Sequence, residues 1–341
     1  MNFTRVTALV GAAVVGALSG SAIAQDKPVN LKLGSWVPAQ HALNPALQAW
    51  ADAVKKASNG SINTTLFPAE QLGKAFDHYD MARDGIADVA YVNPGYQPGR
   101  FPIFAAASLP FTIANAKGGS AAVDAWYRAY AAKEMKDVQL CFAFLHDPGS
   151  LHSRKKVVLP SDVKGLKVRP ATSTIGQMVT LLGGTNVQSS APEARDMLER
   201  GVADAITFPW GSLGLFGIDK VVNFHIDVPL YATPFVWVMN KDKIASMSPA
   251  QKKVIDDHCT TEWAERVAST WADFESAGRG KIAAAPGHEM VRLNAEQLDA
   301  WRKAVAPVTD QWAEGVRKVG ADPKQVLDAL HQSLVKYKSA L

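Results

Sequence analysis

One cation stands at the end of a predicted strand, where it could bind an anion. Residues 166–169 alternate apolar and basic side chains between Gly165 and Pro170, which predicts a short strand that ends at Arg169. Ligand sites of open α/β sheets lie beyond the carboxyl ends of strands, and a guanidinium there can hold a carboxylate through two hydrogen bonds. We therefore predict that Arg169 binds a ligand carboxylate. The alternative is an arginine that is solvated at the end of an edge strand.

Aromatic side chains gather at other predicted strand ends. Phe208 and Trp210 follow the predicted strand 203–207, and the same pattern recurs in the first half of the chain. Apolar walls with a few convergent polar groups are typical of a small-molecule cleft. The alternative is packing in the core, which we expect for the six tryptophans at helical positions, Trp271 among them. The first-half residues that we place in the cleft are Trp36, His41, Tyr91, Asn93 and Tyr96.

The sequence lacks the common signatures of catalysis and of cofactor binding. Residues 211–214 (GSLG) do not form the G-x-S-x-G of a nucleophile elbow, and neither a P-loop nor a G-x-G-x-x-G follows a strand. His146, Asp147 and His152 come closest to a cluster, and their spacing is not that of metal ligands. We expect a binding protein rather than an enzyme, with no cofactor and no metal.

An alternation of predicted strands and helices positions these residues. Helices are predicted between the strands, one of them capped by Asn44 and another over residues 71–85. Alternation of this kind is typical of a largely parallel sheet with helices on both faces. The predicted strands are 31–36, 62–67 and 87–92 in the first half, 166–169, 185–188 and 203–207 in the second, and 234–239 after them.

The predicted fold class is α/β, with two lobes of like construction and a ligand cleft between them. Each lobe is a mostly parallel sheet flanked by helices. We assign residues 25–147 with about 235–262 to the first lobe, and residues 148–234 with about 263–341 to the second. A capping box at Ser248 opens a stretch without proline that extends to about residue 283. It predicts one helix roughly 50 Å long, which would brace both lobes.

The first 24 residues predict export from the cytoplasm. Arg5 precedes a short apolar run, and residues 21–24 (SAIA) supply a cleavage site of small residues, so we expect a soluble periplasmic protein without membrane insertion. Of the chain's 36 Lys and Arg, cleavage removes Arg5, which leaves 35 against 32 Asp and Glu. A near-neutral balance without long basic runs disfavours nucleic-acid binding. Cys141 and Cys259 are either two buried thiols or a disulfide.

The chain resembles the periplasmic solute-binding proteins of tripartite ATP-independent periplasmic (TRAP) transporters, the DctP-like family. The resemblance implies two lobes that close on an organic acid, a salt bridge from its carboxylate to Arg169, and a long helix that spans both lobes. It also implies an ion-driven membrane permease of small and large subunits as partner, with no hydrolysis by the binding protein, which we expect to be a monomer. The segments that carry the resemblance are 66–73 (LFPAEQLG), 85–88 (GIAD), 101–102 (FP) with 109–111 (LPF), 165–169 (GLKVR), 201–204 (GVAD) and the helix near 248–283.

Departures from the family pattern narrow the range of possible ligands. A second arginine found in many dicarboxylate binders corresponds by spacing to Gly149, and the nearby Arg154 and Lys155 are out of register. Phe208 stands where those members carry Asn, and a second carboxylate without a cation would be costly to bury. We predict a monocarboxylate with an aromatic, keto, hydroxy or cyclic body rather than a C4-dicarboxylate, with His41, Asn93 and Tyr96 bonding its polar substituent.

Two other functions stay open at this stage. A ligand-loaded protein of this kind could dock on a membrane receptor instead of a permease, and sequence cannot separate sensing from transport. A periplasmic enzyme is the third and least supported possibility.

Overall fold

The computed structural model describes residues 26–341. The predicted signal peptide, residues 1–24, lies outside this range. The strands are β1 (Val29–Gly34), β2 (Ile62–Phe67), β3 (Val89–Val92), β4 (Gln139–Leu145), β5 (Ser150–Ser153), β6 (Lys167–Arg169), β7 (Thr185–Asn186), β8 (Ala205–Phe208), β9 (Phe224–Ile226), β10 (Pro234–Met239) and β11 (Glu289–Val291). The α-helices are α1 (Leu43–Ala57), α2 (His78–Arg83), α3 (Ala116–Glu134), α4 (Ser173–Leu181), α5 (Ala194–Glu199), α6 (Trp210–Leu215), α7 (Lys241–Ala245), α8 (Pro249–His258), α9 (Thr261–Ala284), α10 (Ala295–Val305), α11 (Pro307–Lys318) and α12 (Pro323–Lys336).

Two mixed sheets form the framework, which confirms the α/β class. The first has the order β2-β1-β3-β10-β4, and the second β11-β9-β5-β8-β6-β7. In the first sheet β1 is parallel to β2 and β3, whereas β10 pairs antiparallel with β3 and β4. In the second, β6 is parallel to β7 and β8, whereas β5 pairs antiparallel with β8 and β9. The parallel strands place β1 and β3 ends on one side of the cleft, and β6 and β8 ends on the other.

The chain crosses between the two sheets more than once. It leaves the first sheet after β4 and returns to it as β10, so one sheet contains strands from distant parts of the sequence. The two crossing segments pair with each other: the Gly149 N–H donates to the Tyr231 carbonyl at 2.9 Å, and the Leu230 N–H donates to the Gly149 carbonyl at 3.1 Å. The boundaries that we assign to the lobes remain a prediction.

The predicted long helix is two helices, which corrects the expectation of one. α8 ends at His258, and α9 begins at Thr261 after two non-helical residues. Thr260 caps α9 by accepting the N–H of Trp263. A threonine cap can start a new helix without proline or glycine, so the absence of those residues was misleading. α9 has 24 residues and is roughly 36 Å long. It packs against α1, α3 and β4 on one side and α6 on the other, as a brace would.

A disulfide joins Cys141 in β4 to Cys259 at the joint between α8 and α9. Of the two possibilities that the sequence left open, the structure therefore contains the disulfide. Arg128 reinforces the joint, since its Nη2 donates to the carbonyls of both cysteines, at 2.9 Å for Cys141 and 3.0 Å for Cys259.

Two predicted helix starts are also corrected. α1 begins at Leu43, and Asn44 lies inside it with its amide donating back to the Pro38 carbonyl at 2.8 Å rather than capping the helix. Instead of one helix over 71–85, a 3₁₀ turn at Ala75–Asp77 precedes the shorter α2. The Glu70 carboxylate accepts the N–H of Ala75, so a side chain rather than a helical turn satisfies the backbone there.

Candidate functional site

A cavity lies between the two sheets. The walls come from strand ends of both sheets, with α9 closing one side. The lining residues are Trp36, Val37, His41, Asn93, Tyr96, His146, Arg169, Ala171, Ala191, Phe208, Pro209, Ser212, Phe216, Thr233, Phe235 and Trp271.

Arg169 is the one cationic side chain that lines this cavity within residues 26–341. It is the last residue of β6 and only 1% exposed. The Ser189 carbonyl accepts from Nε at 3.0 Å and from Nη2 at 2.9 Å, and Nη2 also donates to the Tyr96 hydroxyl at 3.2 Å. In the described part of the chain, no carboxylate lies within 4.0 Å of the guanidinium, and Nη1 has no acceptor. The guanidinium is thus buried, fixed in orientation and without a counter-ion from residues 26–341.

Aromatic rings flank the guanidinium and form most of the apolar wall. Phe208, the last residue of β8, places its ring centroid 5.7 Å from the Arg169 carbon Cζ. Trp36 lines the opposite wall from the loop after β1. Tyr91 stacks on Trp36 with centroids 4.8 Å apart, but it lies behind that ring and does not line the cavity. Of these residues, Tyr91 therefore supports the wall instead of facing a ligand.

Trp210 is not in the cavity, which corrects its predicted position beside Phe208. It lines a separate surface pocket with Asp227 and Arg279, and its indole packs edge-on against His152 with centroids 4.8 Å apart. The chain turns after β8 because Pro209 ends the strand and Trp210 opens α6. The alternation of a strand does not continue through that turn, so residues 208 and 210 point to different places.

Hydrogen bonds cross the cavity from one sheet to the other. The Asn93 amide donates to the Ala171 carbonyl at 3.3 Å, and the Tyr96 hydroxyl accepts the Ala191 N–H at 2.9 Å. Tyr96 also meets Arg169, so one residue after β3 contacts two segments of the opposite wall. Together these contacts hold the two walls in a closed arrangement.

His41 belongs to a chain of polar groups that links the walls to α9. Its Nδ1 accepts the Leu43 N–H at 3.1 Å, and its Nε2 lies 3.5 Å from the Ser212 hydroxyl. The Ser212 hydroxyl in turn donates to Glu275, which also accepts from the Trp271 indole at 2.7 Å. Burial raises the pKa of Glu275 to about 7, although these donors favour the charged form.

Several lining residues were not predicted from the sequence. His146 follows β4 and Thr233 precedes β10, and Trp271 was expected to pack in the core as a helical residue. Their positions depend on β10 inserting between β3 and β4, and on which face of α9 meets the cleft. The one local signal in the sequence was the His146-Asp147 pair, whose spacing is not that of metal ligands. No group of three or more potential metal ligands occurs in residues 26–341.

The buried histidines are neutral at pH 7. Burial lowers the pKa of His41 to about 3, with a contribution from His146, and burial lowers the pKa of His146 to about 4. Burial likewise lowers the pKa of His152 to about 4, and burial with two neighbouring histidines lowers that of His225 to about 2. Folding therefore favours the neutral form of these four imidazoles, and burial also lowers the pKa of His78, the fifth buried histidine in residues 26–341.

We expect the free energy of unfolding to fall as the pH drops below about 6.5, the pKa of an unfolded histidine. Each imidazole contributes its full stabilisation above that pH and loses up to roughly 1.4 kcal/mol per pH unit toward its folded pKa. Glu275 acts in the opposite direction between about pH 7 and 4.5, because its raised pKa favours protonation in the folded protein, and so it offsets about one histidine. Denaturant unfolding at pH 7, 6 and 5 measures how steeply the free energy of unfolding changes with pH. The variant His225→Gln should make this change less steep. A flat profile would contradict the prediction.

Two sheets with a cavity between them are the architecture of a two-lobed periplasmic binding protein. A family model described as "Bacterial extracellular solute-binding protein, family 7" (DctP) matches residues 33–315, and the chain belongs to this family. The resemblance drawn from the sequence is thereby confirmed. Family and fold are those of transport solute-binding proteins rather than enzymes. None of the helices in residues 26–341 is both long and apolar enough to cross a membrane.

Solved structures of similar proteins contain aromatic acids. A TRAP solute-binding protein from Rhodoferax ferrireducens in complex with copurified benzoate is 29% identical, with a TM-score of 0.85 over 91% of this chain and 98% of that one. A marine metagenome TRAP protein specific for aromatic acid ligands, in complex with 3-hydroxybenzoate, is 32% identical, with a TM-score of 0.85 over 91% and 99%.

Two further proteins are similar to this chain at lower identity. A protein from Comamonas testosteroni named "Outer membrane transporter protein TsaT" is 25% identical over 96% of this chain and 97% of its own length. A TRAP protein from Roseobacter denitrificans with bound β-D-glucuronate is 20% identical, with a TM-score of 0.77 over 89% of this chain and 99% of its own, and shows the fold alone.

Proposed function

We propose that this protein captures an aromatic monocarboxylate by closure of its two lobes and delivers it to the membrane permease of a TRAP transporter. The observation that carries the proposal is Arg169: a guanidinium that is 1% exposed, without a carboxylate partner in residues 26–341, beside aromatic walls. A buried charge without a partner is costly, and a ligand carboxylate supplies the partner.

The other residues that line the cavity favour a ligand with a single carboxylate and an aromatic ring. One cation suits one carboxylate, and the imidazoles of His41 and His146 add no positive charge at pH 7 because burial lowers their pKa values. Phe208, Trp36 and Phe235 present flat apolar surfaces suited to an aromatic ring. The similar proteins with bound benzoate and 3-hydroxybenzoate support the same class of ligand for this chain.

Capture is a shift between open and closed states. A ligand stabilises the closed state only to the extent that it binds that state more tightly, so both walls must contact it. Arg169 and Phe208 would contact the ligand from the second sheet, and Trp36, Asn93 and Tyr96 from the first. The cross-wall hydrogen bonds of Asn93 and Tyr96 would form at the same time and complete the closed shape that docks on the permease.

A thermal-shift panel on the protein from residue 25 onward tests the ligand class. We expect stabilisation by benzoate and hydroxybenzoates, because a ligand at 100 times its Kd contributes about 2.7 kcal/mol. Benzamide, which lacks the charge, and terephthalate, which adds a second carboxylate, should give no shift at equal concentration. Glucuronate serves as a non-aromatic acid. Stabilisation by terephthalate or glucuronate without any by benzoate would refute the proposed ligand class.

Delivery to a permease needs a separate test. Uptake of the labelled acid should be lost when the gene is deleted and restored by the intact gene with its predicted export signal. Normal uptake in the deletion strain, with loss of a transcriptional response to the acid, would show a sensory role instead.

A further inference from the structure

Three side chains on the wall of the first sheet have hydrogen-bonding capacity that no group in residues 26–341 uses: the Trp36 indole N–H, the Thr233 hydroxyl and His146 Nε2. His146 follows β4 and Thr233 precedes β10, and both line the cavity. The antiparallel register pairs Pro234 with Leu145, so the next pair outward is Thr233 with His146. The two side chains are therefore cross-strand neighbours at one spot on the wall. Arg169 belongs to the other sheet, on the opposite side of the cavity.

The hydrogen bond made by His146 fixes which of its nitrogens is an acceptor. Nδ1 lies 2.6 Å from the Asp147 carbonyl, which can only accept, so Nδ1 carries the hydrogen. Burial keeps this imidazole neutral, so Nε2 presents a lone pair. No donor in the described part of the chain bonds to Nε2. His146 therefore offers the cavity an acceptor and no charge.

Thr233 complements this acceptor. Thr233 is 1% exposed, and its hydroxyl is buried without a hydrogen-bond partner in residues 26–341. A buried hydroxyl that lacks a partner costs roughly 1–3 kcal/mol, so a ligand group that bonds to it gains affinity. A lone acceptor and a hydroxyl side by side suit a neutral hydroxyl, which can donate to the imidazole and accept from the threonine.

We infer that His146 and Thr233 form a subsite for a ring hydroxyl, so that the preferred ligand is a hydroxylated aromatic monocarboxylate whose hydroxyl lies at the end remote from its carboxylate. The inference rests on the proposed function and makes it narrower. The subsite would favour acids with a hydroxyl on the ring over acids with an α-hydroxyl, because an α-hydroxyl would stay close to Arg169. It also separates a hydroxyl from a second carboxylate, which would meet no cation at this subsite.

Calorimetric titration with matched benzoates tests the subsite. The wild-type protein should bind the better of 3- and 4-hydroxybenzoate about tenfold more tightly than benzoate, as expected for one or two neutral hydrogen bonds. The corresponding methoxybenzoate can accept but not donate, and it should lose most of this preference because His146 Nε2 only accepts. Equal affinity for the hydroxybenzoates and benzoate would overturn the inference and leave the proposed function intact.

Thr233→Val removes the hydroxyl at nearly constant volume. We expect the hydroxyl preference to fall from about tenfold to within about threefold. Thr64→Val is the matched control, since Thr64 has the other buried threonine hydroxyl that lacks a partner in the described chain, but lies in β2 away from the cavity. His146→Phe keeps a ring and should act like Thr233→Val. If both cavity variants retained the preference, the subsite would be wrong; if the wild type bound no aromatic acid, the proposed function would fall with it.

Discussion

Arg169→Ala is expected to weaken the binding of benzoate or a hydroxybenzoate at least about 30-fold, a loss of about 2 kcal/mol or more. The carboxylate would enter a closed cavity in which, across residues 26–341, no other lining side chain carries positive charge at pH 7. The loss includes the cost of burying that unpaired carboxylate as well as the missing hydrogen bonds. Calorimetric titration of both proteins measures it directly.

Two further variants show whether geometry or charge matters at this position. Arg169→Lys keeps the charge but cannot bond the Ser189 carbonyl through two nitrogens, so we expect it to recover only part of the affinity. Arg195→Ala removes an arginine from the exposed face of α5, where it pairs with Glu199, and should leave binding unchanged. Unchanged affinity in Arg169→Ala, with the apo protein still folded, would show that the carboxylate is held elsewhere.

The side chains that reach the cavity because they stand at the end of a strand were predictable from the sequence. Arg169 and Phe208 close β6 and β8, and these strands are parallel neighbours whose ends point the same way. Alternation and a following proline mark both ends, so the sequence indicated that a cation and an aromatic ring would meet. The same reasoning applied to β1 and β3 placed Trp36, Asn93 and Tyr96 at the cavity.

Features that depend on distant pairings were not predictable in this way. Thr233 lies beside His146 only because β10 returns to the first sheet after five of the six strands of the second sheet, β5 to β9. Trp271 shares the periodicity of a core tryptophan, and its position follows from the face of α9 that meets the cleft. Trp210 lies outside the cavity for a local reason, because the chain turns at Pro209 and Trp210 opens α6. Spacing in the sequence carries no information about such long-range contacts.

The disulfide stabilises a part of the fold that local patterns did not reveal, and we expect its removal to have the largest effect on stability. The double variant Cys141→Ser, Cys259→Ser should lower the free energy of unfolding by about 3–5 kcal/mol, because the bond closes a loop of 118 residues in the unfolded chain. The loop connects β4 with the joint between α8 and α9, so the variant should loosen the brace as well.

Denaturant unfolding of three samples tests this expectation. The oxidised wild type should be the most stable, and the reduced wild type should match the double serine variant, because both lack the cross-link. Benzoate affinity should change little, since neither cysteine lines the cavity. If alkylation of the oxidised protein under denaturing conditions labelled both thiols, or if the three unfolding curves coincided, the covalent link would be absent. In that case β4 would be held to the helix joint by Arg128 and packing alone.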